Sequence, residues 1–321
     1  MNTIPTTLDD RPVPYTVVGG PASRGGGEGN AVSVLLLERG GRLFRNEVFR
    51  ELERLGFDSI VSIEEGMDAP GVEALAQRYP GTRFVVLGSP LSPGEKINVG
   101  IRESCAPYVF VLWSDMKLQA AGLSSRFFER LGEQDILCLA PHLAAGKGEV
   151  LPSAVSPALH RQSLRLLPLP PAKDGAKSVY PFDYCGIYSR ERFIMLGGYD
   201  GGIANPYWQK LDFGFRAWLW GEEIRLSQAL RVGYDDSPTV EDSTPDEDYK
   251  WFWLKNLAPV FRSDHVTIPP HRFWTYLRRR RGSPVAALGE FRAAVEWVRI
   301  NRYRFHNDAA SLVDLWDEDL P

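Results

Sequence analysis

Ala31-Val-Ser-Val-Leu-Leu-Leu37 is an unbroken apolar run of strand length. Four more follow: Asp58-Ser-Ile-Val-Ser-Ile63, Arg83-Phe-Val-Val-Leu-Gly88, Pro107-Tyr-Val-Phe-Val-Leu112 and Asp135-Ile-Leu-Cys-Leu-Ala140. Their starts lie 27, 25, 24 and 28 residues apart, room for one helix in each interval. Continuous rather than alternating apolarity marks strands covered on both faces, as in a parallel sheet. The intervals carry matching helix signals. Phe44, Val48, Leu52 and Leu55 recur at helical spacing before Gly56, and Val72, Leu75, Ala76 and Tyr79 do so before Pro80-Gly81. Ser92-Pro93-Gly94-Glu95 reads as a capping box with proline at the first helical position, and Ile97 and Ile101 mark the buried stripe. Strand–helix–strand repeats require right-handed crossovers. The expected fold class is therefore α/β, a doubly wound, mostly parallel, Rossmann-like sheet with its ligand at the carboxyl ends of the strands.

Outward from this block the pattern changes. Residues 1–30 are rich in Pro, Gly and Thr and read as a flexible leader. The stretch Leu151 to Lys177 holds many prolines and reads as a long loop. Structure resumes at Tyr180–Tyr188, followed by a short helix closed by Gly197-Gly198 and another from Trp208 to Trp220. The expected domain is 31–250, with a mostly helical C-terminal extension over 251–321.

Composition excludes several classes. Lys plus Arg number 37 against 41 Asp plus Glu, a net charge of −4, so a cationic surface for nucleic acid is not expected. No apolar run reaches the roughly 18 residues of a membrane span and no signal-peptide pattern opens the chain, which points to a cytoplasmic protein. Cys105, Cys138 and Cys185 include no C-x-x-C pair. No Walker sequence and no G-x-G-x-x-G follows a strand. Arg278-Arg-Arg-Arg281 beside an amphipathic helix is either a solvated helix end or a surface for the inner face of a membrane.

Acidic groups stand where strands should end: Glu38 after the first, Glu64 and Glu65 after the second, Asp115 after the fourth. Such positions line one crevice, where a carboxylate accepts from a base or ribose or holds a divalent cation. Each is also an ordinary turn residue or helix cap.

In order and spacing, Ala31–Glu38, Ser59–Glu65, Gly94-Glu-Lys-Ile-Asn-Val-Gly-Ile101 and Tyr108-Val-Phe-Val-Leu-Trp-Ser-Asp115 resemble family-2-type glycosyltransferases of the GT-A fold. Tyr184–Asp200, with its R-E-x-F helix and G-G-Y-D turn, is similar to the family's acceptor-side segment, and Asp212-Phe-Gly-Phe-Arg216 to its D-L-x-x-R helix. The resemblance implies transfer of a sugar from a UDP- or GDP-linked donor to a glycan or lipid-linked acceptor. It implies that Glu38, Glu64, Lys96, Asn98, Trp113 and Asp115 border the nucleotide-sugar, with Asp115 holding Mg²⁺ or Mn²⁺ on the diphosphate. Tyr184 and Trp208 would face the acceptor. Two departures are plain. Trp113 stands where the first Asp of Asp-x-Asp is expected, and an indole cannot ligate a metal. Gln209 and Lys210 replace the Glu-Asp pair whose second acid is the usual base. The active reading moves that role to Asp212 or Asp183; the alternative is a catalytically degenerate module that binds nucleotide-sugar or glycan as a regulator or scaffold. A nucleotidylyltransferase has only the faint echo Glu38-Arg-Gly-Gly-Arg42.

Overall fold

The computed structural model describes residues 13–20, 31–39, 45–66, 71–119, 123–146, 148–160, 163–234, 240–279 and 283–316. The repeating half consists of β1 (Tyr15–Val18), β2 (Val32–Leu37), α1 (Arg45–Arg54), β3 (Ile60–Glu65), α2 (Val72–Arg78), β4 (Thr82–Leu87), α3 (Pro93–Glu103) and β5 (Tyr108–Trp113). Every residue of β2 is buried, and β2 pairs in parallel with β3 on one side and β5 on the other, which is what its unbroken apolarity requires. α3 opens with the expected capping box: the Ser92 hydroxyl accepts from the Glu95 amide, and the Glu95 carboxylate accepts from the Ser92 amide at 2.8 Å. Ile97 and Ile101 are fully buried beneath it.

The second half adds β6 (Met116–Gln119), α4 (Ser125–Glu133), β7 (Cys138–Ala144), β8 (Ala154–His160), β9 (Ser163–Leu169), β10 (Gly186–Ser189), α5 (Arg190–Leu196), α6 (Pro206–Leu219) and β11 (Ile224–Tyr234). Among the described residues nine strands form one sheet in the order β1-β4-β3-β2-β5-β10-β7-β11-β6. The strands β2 to β5, β7 and β11 run one way; β1, β6 and β10 run the other. The sheet is therefore mixed and mostly parallel, with helices on its faces.

Two expectations change. Within the presumed leader, Tyr15-Thr-Val-Val18 is an edge strand pairing antiparallel with β4, Tyr15 opposite Leu87; β-branched residues suit it to that edge. The rest of the leader, 1–12 and 21–30, lies outside the described residues. The proline-rich stretch read as a loop contains the hairpin of β8 and β9, with Val155 opposite Pro168 and Pro157 opposite Leu166. A two-stranded ribbon tolerates proline because each strand has an outer edge where no amide is needed.

The C-terminal region is mostly helical, with a small hairpin: α7 (Glu247–Phe252), a π-type turn at Trp253–Leu257, β12 (Val260–Arg262), β13 (His265–Thr267), α8 (Arg272–Arg279), α9 (Pro284–Asn301) and α10 (Ala309–Asp314). It shares a core with the sheet layer: Trp297 stacks on Trp220 at 6.0 Å and Trp316 meets Trp218 edge-on at 4.8 Å. Trp253 and Trp297 are buried, whereas Trp274 is 63% exposed. Among the described residues no helix is long and apolar enough to cross a membrane. Arg280 and Arg281 of the basic run lie outside them.

α6 is buried from Trp208 to Leu219, its polar residues included, so it needs a close neighbour all round. Gly214 is where that neighbour comes closest: a Cβ there would lie 2.0 Å from the Val179 carbonyl oxygen. Backbone cannot swing aside as a side chain does. Gly214→Ala is expected to lower stability by about 1–3 kcal/mol, read as an earlier urea midpoint. An unchanged midpoint would mean that the helix has slack at this contact.

Candidate functional site

The carboxyl ends of β2 and β5 are adjacent, with Leu37 paired to Trp113. Just beyond them Ser114 clamps Arg39 by both backbone groups: its hydroxyl accepts from the Arg39 amide at 2.8 Å and donates to the Arg39 carbonyl at 2.6 Å. The clamp directs the Arg39 side chain back over the strand ends. Its Nε donates to Asp115 Oδ2 at 2.8 Å, Nη2 donates to Asp115 Oδ1 at 3.1 Å, and Nη2 also lies 2.8 Å from Asp183 Oδ2. The guanidinium carbon stands 4.4 Å from the centre of the Trp113 ring and 5.8 Å from that of Tyr234. Burial alone would lower the Arg39 pKa. Hydrogen bonds to Asp183 and Asp115, and their charges, outweigh it and hold the group above its ordinary range.

Asp183 arrives from a short turn between β9 and β10. It has φ 51° and ψ 31°, and Tyr184 follows at φ 61°, so two side-chain-bearing residues in succession are left-handed. Each such residue costs of order 1–3 kcal/mol unless its surroundings impose it. Here they do. The Trp113 indole N–H donates to the Asp183 carbonyl at 2.8 Å, the Tyr188 hydroxyl to the Tyr184 carbonyl at 2.8 Å, and the Tyr234 hydroxyl to Asp183 Oδ2 at 2.9 Å. Trp113 thus stands where an acid was expected and acts as a strut under a strained turn. Burial, then the charge on Asp183, pushes the Tyr234 hydroxyl above its ordinary range, so it stays a donor.

Arg39, Trp113, Asp183 and Tyr184, with Tyr207 and Lys210, help to line a cleft of about 390 Å³. Its far wall is Glu241, which accepts from the Lys210 ammonium and, at 3.0 Å, from the Tyr180 hydroxyl. Lys210 is only 3% exposed, with its ammonium 5.1 Å from the Tyr184 ring and 5.7 Å from that of Tyr180. The Tyr207 pKa is pushed up to about 12 by burial and then by the charge on Glu241.

Of the residues singled out in the sequence, Asp115, Asp183, Trp113 and Tyr184 come together here, and Glu38 sits half-buried beside Arg39. Others do not reach the cleft as expected. Asn98 spends its amide on the backbone of Tyr199, donating to the carbonyl at 2.7 Å and accepting from the amide at 2.9 Å. Glu64 is 1% exposed and accepts from Ser62 at 2.8 Å, while Lys96 pairs with Glu65. Trp208 stacks on Phe252 and donates to the Thr244 carbonyl at 3.1 Å, leaving no open face for an acceptor. Asp212 is wholly buried: Oδ1 meets Lys255 at 2.9 Å and Asn256 at 2.8 Å, and Oδ2 meets Arg216 at 3.2 Å. A carboxylate so enclosed is part of a core ion-pair cluster, set apart from the cleft. Arg39, Tyr207, Tyr234 and Glu241 were not foreseen; only the arginine in Glu38-Arg-Gly-Gly-Arg42 gave a signal.

Lys255 also meets Asp200 Oδ2 at 2.7 Å. Burial alone would raise the Asp200 pKa, but Lys255, the Gly202 amide and Arg216 outweigh it and hold the carboxylate below its ordinary range. The unfolded chain then takes up the proton first, so this contribution is complete above the unfolded value near about 3.9 and is lost as pH falls through the folded one. The urea midpoint is expected to hold from pH 7 to about 5 and to drop below about 4, less steeply in Asp200→Asn. An identical acid limb in that variant would assign the drop to other groups.

The described residues do not fit a divalent ion. Both Asp115 oxygens already accept from Arg39, and among the described residues no group of three or more His, Cys, Asp or Glu side chains is placed to hold one. Asp235 and Asp236, which follow β11, lie outside those residues. A second cavity of about 340 Å³ lies at the other end of the sheet, by the start of β5, where Arg192 is paired with Asp135 and, at 2.7 Å, with Glu222. Ligands of open α/β sheets bind at the carboxyl ends of the strands, which favours the cleft at Arg39 over this cavity.

No family model matches the sequence, and no curated protein does. Solved structures do. The crystal structure of GalNAc-T7 with UDP, GalNAc and Mn²⁺ superposes with a TM-score of 0.50 at 14% identity, over 70% of this chain and 47% of that one. That of S. aureus TarS gives 0.49 at 12%, over 70% and 38%. The chain thus matches about half or less of the length of these two proteins. In strand order, helical layers and likeness to GalNAc-T7, the chain has the GT-A glycosyltransferase fold.

Proposed function

We propose that the chain transfers a glycosyl group from a nucleotide-sugar, in the first instance a UDP-sugar, to a hydroxyl of a glycan or lipid-linked acceptor. The observation that carries this reading is Asp183: a carboxylate held in a strained turn, facing a cleft at the strand ends beside an arginine. Strain of this kind persists where function uses the geometry it enforces. GalNAc-T7, of the same fold, was crystallised with UDP and GalNAc, which supports the choice of donor. In this reading Glu38 and Asp115 border the nucleotide, Trp113 and Arg39 the diphosphate end, and Tyr184 and Tyr207 offer ring faces to the sugars. As the glycosidic bond to the diphosphate lengthens, the sugar gains oxocarbenium character and the leaving group gains charge. Asp183 takes the proton of the attacking hydroxyl.

A second reading, a module that holds the donor without turning it over, draws on one observation. Where the resemblance places the base, Lys210 is a cation already paired with Glu241. Incubation with a panel of UDP- and GDP-sugars, with released nucleoside diphosphate as the readout, separates the two. Release above the protein-free rate that is lost in Asp183→Asn supports transfer. An intact donor that nonetheless binds supports the module. Neither binding nor release would sink both.

A further inference from the structure

We propose that Arg39 is the resident cation of this site: it takes the place a divalent ion would need against Asp115, so that a nucleoside diphosphate binds there without metal. The nucleotide part of this inference rests on the donor reading above; the metal part stands without it.

The geometry is that of a fork on a carboxylate. Asp115 receives Nε at 2.8 Å and Nη2 at 3.1 Å, one donor to each oxygen, and Nη2 reaches on to Asp183 at 2.8 Å. Bidentate pairing of this kind fixes orientation as well as charge. A magnesium-sized ion demands near-octahedral oxygen ligands at about 2.0–2.1 Å. It cannot share the inner edges of Asp115 with two N–H donors, and on the outer edges it would face the guanidinium's own charge. Nor is Arg39 a loose surface arm. Its backbone is tied to Ser114 at both amide and carbonyl, and its planar head lies on the Trp113 ring.

The residues that depart from the resemblance make sense together in this light. Trp113 provides the face on which the guanidinium rests and, by its indole N–H, holds the turn that brings Asp183 to the other side. An aspartate at that position could do neither. A guanidinium keeps its charge across the physiological range, and its planar set of donors suits phosphate oxygens as well as carboxylates. Arg39 itself lines the cleft, so that charge is presented where a diphosphate would lie. Lys210 also lines the cleft, paired with Glu241.

The test has two arms on the full chain. In the first, Mn²⁺ alone is titrated and free ion is read by electron paramagnetic resonance. The wild type is expected to take up no stoichiometric Mn²⁺; one-to-one uptake that disappears in Asp115→Ala overturns the proposal with no nucleotide present. In the second, UDP affinity is measured by calorimetry in EDTA and in Mn²⁺. It is expected to agree within about twofold in the two conditions, to fall about tenfold or more in Arg39→Ala, and to fall less in Arg39→Lys, which keeps the charge without the fork. A wild-type affinity that rises about tenfold with Mn²⁺, or an Arg39→Ala variant that binds as tightly as wild type, contradicts it. If UDP binds in neither condition the donor reading fails, and the Mn²⁺ arm alone decides whether Arg39 excludes the metal.

Discussion

Lys255→Met is expected to lower the stability of the protein by about 3–5 kcal/mol, the usual result of breaking a buried charge cluster from one side. Lys255 is fully buried, with Asp200 at 2.7 Å, Asp212 at 2.9 Å and the Trp297 ring at 5.1 Å. It is carried on the π-type turn at Trp253–Leu257, whose extra residue per turn sends Lys255 and Asn256 inward together. Removing its ammonium leaves two carboxylates to one guanidinium, that of Arg216, which also serves the Leu196 and Gly198 carbonyls at 2.6 and 2.7 Å. For a chain of this size the loss corresponds to a melting temperature lower by about 4–7 °C. Neutralising the acids at the same time, in Lys255→Met with Asp200→Asn and Asp212→Asn, should recover part of it, because much of the penalty is uncompensated charge. Urea unfolding followed by circular dichroism checks both. A single variant within about 1 kcal/mol of wild type would show that water reaches the cluster and would reopen a chemical role for Asp212.

Asp183→Asn should act in the opposite sense, on chemistry rather than on the fold. The amide keeps the shape of the side chain and can still accept from Tyr234, so the turn at 182–184 is retained. What is lost is the ability to take a proton. Glycosyl transfer is expected to fall by about 10²- to 10⁴-fold, the usual worth of a positioned base, while donor affinity changes by only a few-fold. The loss should therefore appear in kcat and not in the donor KM. Wild-type turnover in this variant would remove Asp183 from the mechanism; a rise in donor KM with kcat unchanged would reassign it to binding.

These two acids show what could be read in the sequence and what could not. Asp212 stood in a segment resembling the family and Asp183 immediately before one, and both are acids in a run of aromatic residues. What separates them is the arginine four residues after Asp212, which on a helix lies directly above it and, in a helix buried on all sides, must find its counter-ion there. The spacing stands in the sequence, but the burial that forces the pairing does not, so Asp212 reads there as a candidate base. The lysine that completes the cluster leaves no mark either, because the π-type turn that carries it has no clear sequence signature. The same contrast runs through the fold. β2 to β5 were visible as unbroken apolar runs because each is covered on both faces. β10, with four residues, was hidden in an acceptor-like motif, and the prolines of β8 and β9 resembled a loop. At the site, Asp115 was found as an acid after a strand. Arg39 was not, since its contact across 76 residues depends on the backbone clamp at Ser114 and on the twist that brings the ends of β2 and β5 level.

In the proposed function the nucleotide-sugar sits in the cleft between Arg39, Asp183 and Tyr207. Photolabelling of the intact protein with a 5-azido-UDP-sugar, followed by peptide mapping, tests this most directly. The azide sits on the uracil ring, so the label should fall on peptides carrying Glu38-Arg39 or Trp113–Asp115, and excess UDP should suppress it. Label confined to the opposite end of the sheet, around Tyr108, Glu191 and Arg192, or label that UDP does not displace, would contradict the assignment.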